Sequence, residues 1–184
     1  GQLRQAGFTI DDAALELLVQ RTNADYGLMV ANVAKLEILA YQDKHITAPM
    51  VQALVPQSLD DNVFDLVTAV LRRDQPRSLE LYQQLLASQK QPLQINAVLV
   101  SQFRLLIQLK VLVNHGLSQG SIASKLNVHP YRVKLGLRTV RQFSLERLAN
   151  AYLGLVKIEQ NLKTTQRDPE LLFQLFMLQY ARQR

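Results

Sequence analysis

The sequence predicts an all-α protein that consists of two helical domains. Apolar residues recur at the three- and four-residue spacing of a helix along nearly the whole chain. No stretch alternates polar and apolar residues between hairpin turns, so we place no β-strands. The 7 glycines and 6 prolines fall mostly between the apolar segments, where they are expected to end helices.

Three short helices are predicted in the first domain, which we place at residues 1–57. The first follows Thr9, an acceptable N-cap. The second runs from about Asp25 to Tyr41, and the third from Thr47 to about Val55, with Ile46 and Val51 placed to form a hydrophobic staple. The inner faces of the first two helices are Ala14, Leu17 and Leu18, and then Met29, Val33, Leu36 and Ala40.

The second domain, residues 58–184, is predicted to be a bundle of about seven helices. A polar, turn-rich segment from Pro56 to Asp61 separates it from the first domain. Pro92 opens a long helix that is apolar on most sides and ends near His115, as a central, buried helix would. The predicted segments are 63–71, 79–86, 92–115, 119–126, 130–143, 144–164 and 169–180.

Composition and charge restrict the classes of function. With 0 cysteines, the chain has no disulfide, thiolate metal site or cysteine nucleophile. Residues 92–113 come nearest to a membrane span, but polar side chains interrupt them, so no membrane association is expected. Residues 1–91 carry 8 Lys and Arg against 11 Asp and Glu, whereas residues 92–184 carry 13 against 4, a net charge of +9. A basic half is typical of a protein that binds nucleic acid or an acidic partner, and equally of a solvated helical surface.

No catalytic, metal-binding or cofactor-binding residues are predicted. The chain lacks both GxxxxGK[ST] and GxGxxG, the usual phosphate-binding loops. His45, His115 and His129 lie far apart at expected helix ends, which does not suit a metal site. Ser118 and Ser144 have helix-capping roles and no neighbouring base, so we expect neither to act as a nucleophile. The chain also opens without a methionine, and we expect it to be a piece of a longer protein.

One stretch, residues 118–142, has the pattern of a helix-turn-helix. Ala123 allows two helices to cross closely, and Asn127 four residues later suits a left-handed turn. In a DNA-binding protein the second helix would enter the major groove. The same spacing also fits an ordinary corner between two packed helices. The basic residues of this second helix, candidates for contact with nucleic acid or a partner, are Arg132, Lys134, Arg138 and Arg141.

The C-terminal stretch resembles the delta subunit of bacterial DNA polymerase III clamp loaders. The most specific part is the His-Pro-aromatic-x-Val-Lys string, His129–Lys134, within the segment Val128–Leu135. Its companions, in order, are Ile122-Ala123-x-x-Leu126, Phe143-Ser144, Glu159-x-x-Leu162-Lys163-Thr164 and Leu171-Leu172. Upstream segments that are similar to the family are Asp25–Leu28 with Lys35–Glu37, Ile46–Val55, Asp65–Val70 and Gln102–Lys110.

The resemblance implies that residues 1–57 form the three-helix lid of an AAA+ module and that residues 58–184 form a collar domain for oligomerisation. The family's N-terminal domain, which binds the sliding clamp, would be missing. No arginine stands within Tyr26–Met29, near the family's ATP-sensing position, and this fits a subunit without ATPase chemistry.

The implied function is that of a non-catalytic, cytoplasmic subunit in a complex that belongs to a DNA-directed DNA polymerase. Its collar would join the ATPase and delta-prime subunits and support clamp opening and loading during replication, with DNA contact through the complex. Phe173, Phe176 and Tyr180 of the last helix serve either the core or this interface. The alternative is a helix-turn-helix protein that acts in transcription.

Overall fold

The computed structural model of the chain describes residues 2–22, 24–56, 59–88 and 90–182. The chain divides into two compact units, Gly1–Asp61 and Asn62–Arg184. Gln57 and Ser58, between which we predict the domain boundary, lie outside the described residues. The predicted all-α class is confirmed, with one local exception in the first unit.

The first unit buries one small apolar core. The inner faces of its helices meet at Leu18, Leu36 and Val51, and Ile46 joins them from the segment that precedes the last helix; all four are almost fully buried. Ile46 and Val51 flank the start of the last helix of this unit, as a hydrophobic staple requires. The described part of this unit has one helix more than the three predicted: the four-residue α1 (Gln2–Gln5) precedes α2 (Asp12–Arg21), α3 (Tyr26–Leu39) and α4 (Ala48–Leu54).

The expectation of no strands is wrong at one place in this unit. Strand β1 (Thr9–Ile10) pairs in parallel with β2 (His45–Ile46). The backbone N–H of Thr9 donates to the carbonyl of Lys44 at 2.9 Å, and the N–H of Asp11 donates to the carbonyl of Ile46 at 3.1 Å. Two-residue strands are too short to show an alternating pattern, and their partners are 36 residues apart. This pairing delays the first predicted helix, so α2 begins at Asp12 instead of directly after Thr9.

Two polar side chains, Asp25 and Arg21, stabilise helix ends in the first unit. The Asp25 carboxylate accepts a hydrogen bond from the backbone N–H of Leu28 at 2.8 Å, so Asp25 caps α3 where the sequence predicts its start. The Arg21 guanidinium donates to the carbonyl of Gln52 at 2.8 Å and also to that of Val55. A cation at these carbonyls satisfies acceptors that the end of α4 leaves unpaired and complements the helix dipole.

Seven helices follow over the rest of the described chain, as predicted. Asp74 accepts from the backbone N–H of Arg77 at 3.1 Å, so α6 starts earlier than its apolar pattern indicates and contains Pro76 in its first turn. The helices are α5 (Leu59–Arg72), α6 (Gln75–Ala87), α7 (Pro92–Asn114), α8 (Gln119–Leu126), α9 (Pro130–Val140), α10 (Leu145–Thr164) and α11 (Pro169–Arg182).

Helix α7 is the central helix of the second unit. It packs against α6, α9 and α10 and buries residues on several sides, among them Ile95, Leu99, Phe103 and Leu109. By length and composition alone it is the one helix in the described ranges that could cross a membrane, with a mean hydropathy of 1.4 over 18 residues. Its packing accounts for this composition, because a helix that is covered by neighbours on several sides is apolar on those sides.

Candidate nucleic-acid and partner interface

The predicted helix-turn-helix corner is formed by α8 and α9. The Ser118 hydroxyl accepts from the backbone N–H of Ser121 at 3.3 Å and caps α8. Asn127 ends this helix in the left-handed conformation, with φ 51° and ψ 46°, as the sequence predicts. The N–H of Val128 then donates to the carbonyl of Ala123 at 3.0 Å. His129 begins α9, because its ring nitrogen Nδ1 accepts from the N–H of Tyr131 at 3.2 Å.

One side of α9 is committed to packing on α7. A Cβ atom built on Gly136 would lie 2.3 Å from Cδ1 of Leu109, so the two helices approach too closely for a side chain at this position. The Lys110 ammonium group of α7 donates to the carbonyl of Val140 at 2.7 Å, at the end of α9. The buried residues of α9 are Val133, Gly136, Leu137, Thr139 and Val140.

Helical spacing places three of the four predicted basic residues on one side of α9, with Arg141 at its C-cap. At about 100° per residue, Lys134, Arg138 and Arg141 fall within about 60° of one another, whereas Arg132 lies about 120–180° away. Arg138 and Arg141 are exposed, while Arg132 and Lys134 are half-buried. The outer face of α9 is therefore basic and can attract phosphate or carboxylate groups, but Arg132 does not share that face.

The described residues contain no group of three or more His, Cys, Asp and Glu that could hold a metal ion. Nδ1 of His45 lies 2.8 Å from the Thr9 hydroxyl, and its Nε2 lies 3.0 Å from the Asp11 carboxylate, so this ring ties the β1–β2 pair together. Ser144 caps α10 by accepting from the backbone N–H of Arg147 at 3.1 Å. These polar groups serve local structure.

The aromatic side chains of α11 belong to the core. Phe173, Phe176 and Tyr180 are 0–6% exposed, and the Phe173 ring stacks on Tyr82 of α6 with centroids 4.2 Å apart. The Tyr180 hydroxyl donates to the carbonyl of Arg147 at 3.3 Å. Burial raises the pKa of both tyrosine hydroxyls above the ordinary value, because it disfavours the phenolate. The packing role of these aromatic residues leaves them unavailable to a partner.

Sequence reasoning missed an apolar surface on the other side of α11. Leu171, Leu175 and Leu178 are 43–49% exposed, and Leu153 of α10 is 56% exposed. The first three follow i, i+4, i+7 spacing, so α11 is apolar on two opposite sides. That double stripe is visible in the sequence, but only packing decides which side enters the core.

Helix α3 of the first unit is similarly apolar around most of its circumference. It buries Asn32 and Leu36, while Tyr26, Leu28 and Ile38 remain at least half exposed. An open groove of 520 Å³ runs along it and is lined by residues of α1, β1, α2 and α3. Exposed apolar surface of this kind is a mark of contact sites in larger assemblies.

Comparison with known proteins gives consistent matches. A family model described as the C-terminal domain of the DNA polymerase III delta subunit matches residues 60–180. The DNA polymerase III subunit delta of Bacillus subtilis (strain 168) is 36% identical over 171 residues, which cover 93% of this chain and 49% of that protein. The solved structure of the Bacillus subtilis DNA clamp loader delta protein has 34% identity and a TM-score of 0.86, covering 98% of this chain and 53% of that one. The chain spans about half the length of both.

Proposed function

We propose that this chain, which belongs to the family of the C-terminal domain of the DNA polymerase III delta subunit, takes part in the assembly of a clamp loader through its second unit. This unit would act as a collar that holds neighbouring subunits during the opening and loading of the sliding clamp. Its first unit would act as the lid that connects the collar to the remainder of a delta subunit.

The extent of the family match supports a collar role for the second unit. The match covers residues 60–180, nearly the whole of Asn62–Arg184, and that unit has its own core around α7. A domain with an independent core can hold partners while other parts of a complex move as rigid bodies. The exposed leucines of α10 and α11 supply apolar surface for such contacts.

The lid role rests on the first unit and on the extent of the structural likeness. The match to the clamp loader delta protein covers 98% of this chain, so it includes the first unit as well as the second. In this role Tyr26–Met29, the first turn of α3, would stand near the position where related modules sense ATP. The chain has no arginine there, which favours a subunit that does not turn over nucleotide.

The proposed partners are the ATPase subunit and the delta-prime subunit, bound through the collar in the cytoplasm. Contact with the sliding clamp would require the part of a delta subunit that this chain does not match. We assign no catalytic residue to the chain, and we regard polymerase activity as a property of the whole holoenzyme. The outer face of α9, with Arg138 and Arg141 exposed, would allow contact with DNA within the complex.

A role in transcription, which the helix-turn-helix pattern left open, has no support in the comparisons. The corner between α8 and α9 has a structural purpose, because α9 packs closely on α7 at Gly136. Only three of its four basic residues share a face, and two of the four are half-buried. We do not carry that alternative further.

Size-exclusion chromatography with light scattering tests the collar role. The protein is mixed with the ATPase and delta-prime subunits of the same organism, and the mass of the eluting complex is measured. We expect one copy of the protein in a five-membered assembly. Separate elution, while the other subunits assemble with each other, would contradict the proposed function.

A further inference from the structure

A groove runs along the seam between α10 and α11. It has a volume of 310 Å³ and is open to solvent along the surface of the second unit. Its floor includes Gly154, where an added Cβ would lie 2.4 Å from the Phe176 ring, so the absence of a side chain lets the two helices pack closely. Leu153 and Leu175 line opposite sides of the groove and are 56% and 44% exposed.

The leucines around the groove are not required by the core of this unit. Helix α11 already buries Leu172, Phe173 and Phe176 on its inner side. Leu171, Leu175 and Leu178 form a second, outer stripe at helical spacing. When a partner covers exposed leucines beside a groove, their unfavourable contact with water is removed. Clusters of exposed apolar residues are therefore typical of docking surfaces.

The charged residues of the groove are all of one sign. Lys157 and Arg167 line it, and none of its lining residues is acidic, as far as the described chain extends. Neither cation forms an ion pair within the ranges described. The nearby Glu170 is engaged elsewhere, since its carboxylate accepts from the side-chain amides of Gln83 at 2.6 Å and Gln174 at 3.3 Å. The groove therefore favours a partner that carries carboxylates.

We infer that this groove binds an amphipathic helix from a neighbouring clamp-loader subunit, with an apolar stripe that faces Leu153 and Leu175 and with Asp or Glu residues that reach Lys157 and Arg167. A groove between two adjacent helices accepts the ridge of a third helix, which supplies side chains at i, i+3, i+4 and i+7. This inference rests on the proposed function, because it names the surface and the partner chemistry through which the collar would assemble.

Two pairs of substitutions test the groove in the full-length protein. Leu153→Gln with Leu175→Gln removes apolar surface from both sides of the groove, and Lys157→Glu with Arg167→Glu reverses its charge. Matched controls elsewhere in the same unit are Leu93→Gln with Leu145→Gln, both 38% exposed, and Lys90→Glu with Lys125→Glu, both exposed. Each variant is mixed with the ATPase and delta-prime subunits, and its affinity is measured by calorimetry and by size-exclusion chromatography.

Each groove pair is expected to lower the affinity for the other subunits at least about 10-fold, because central apolar or charge-paired contacts are lost. Both control pairs are expected to bind with the affinity of the wild type. The charge-reversed pair should differ most from the wild type at low salt, because salt screens attraction between exposed charges. Circular dichroism checks that all four variants are folded, which we expect because every substitution is at an exposed position.

A photo-crosslinking side chain at position 175 identifies the occupant. Cross-linked peptides should come from a helical segment of another subunit that has an apolar stripe and acidic flanks. If the wild type assembles and both groove pairs bind the other subunits with the same affinity as the wild type, this inference is overturned and the proposed function remains intact. Failure of the wild type to assemble would refute the proposed function, and the inference with it.

Discussion

Substitution of Gly154 by alanine should destabilise the second unit. The ideal Cβ would lie 2.4 Å from Cε2 and 2.5 Å from Cδ2 of Phe176, whereas carbon atoms in contact are normally about 3.5–4.0 Å apart. The ring or the helix would therefore have to move by about 1 Å. Phe176 has little freedom to move, because its ring is 5.8 Å from that of Phe173 and 5.7 Å from that of Tyr180, centroid to centroid.

Two opposing effects set the size of this loss. Overpacking of a buried site costs about 1–3 kcal/mol, while replacement of a helical glycine by alanine gains up to about 1 kcal/mol of helix propensity. We expect a net loss of about 1–2 kcal/mol in the free energy of unfolding. For a unit of this size that corresponds to a fall of roughly 3–8 °C in Tm. Urea and thermal unfolding, followed by circular dichroism, measure both quantities.

Gly120→Ala is the matched control. Gly120 lies in α8, and an added Cβ meets no atom within 4 Å, so alanine should stabilise the protein by about 0.5 kcal/mol. A double-mutant cycle of Gly154→Ala with Phe176→Leu isolates the clash, because the smaller side chain makes room for the methyl group. Equal or greater stability of Gly154→Ala relative to Gly120→Ala would refute the proposed close contact.

Substitutions at three further positions test the polar groups of the second unit. Asn96 is fully buried: its amide N–H donates to the Leu155 carbonyl at 3.1 Å, and its Oδ1 has no partner in the described structure. Asn96→Leu should therefore be tolerated. Asn96→Asp, which buries an unpaired charge, should lower the free energy of unfolding in urea by about 3 kcal/mol or more. The buried Tyr82 hydroxyl has no partner among the described atoms, so Tyr82→Phe should retain or raise stability by about 1 kcal/mol. Because burial raises the Tyr82 pKa above 10.0, the folded state holds the proton more tightly, and stability should fall as pH rises above 10.0, less steeply in Tyr82→Phe. Ser144→Ala removes the cap of α10 and should cost about 1 kcal/mol, measured as a lower urea midpoint.

Specific results would contradict the expectations for Asn96→Leu and Tyr82→Phe. A large loss of stability in Asn96→Leu would mean that its amide contributes more than its burial costs. An unchanged pH profile in Tyr82→Phe would show that this hydroxyl titrates alike in both states. Ser144→Thr is the control for Ser144→Ala, because threonine retains the capping oxygen.

Local patterns in the sequence predict most of the helices. Asp25, Ser118 and Ser144 cap helices where the sequence predicts, since capping depends on side-chain oxygens within three residues of the donor N–H. The left-handed conformation of Asn127 is also predictable from the local sequence, because a short polar side chain tolerates this conformation better than most others do. The order of the C-terminal motifs was sufficient to identify the family, which the comparisons confirm.

The sequence by itself determined the all-α class, the position of most helices and the resemblance to the delta subunit, because each depends on residues that are neighbours in the chain. Only the tertiary structure decided the pairing of β1 with β2 and the side of α11 that stays exposed. Helix α11 carries leucines on two opposite sides, and its own sequence does not distinguish them. Packing against Tyr82 of α6 and the α10 helix at Gly154 buries one side and leaves the other in solvent, where a partner can reach it.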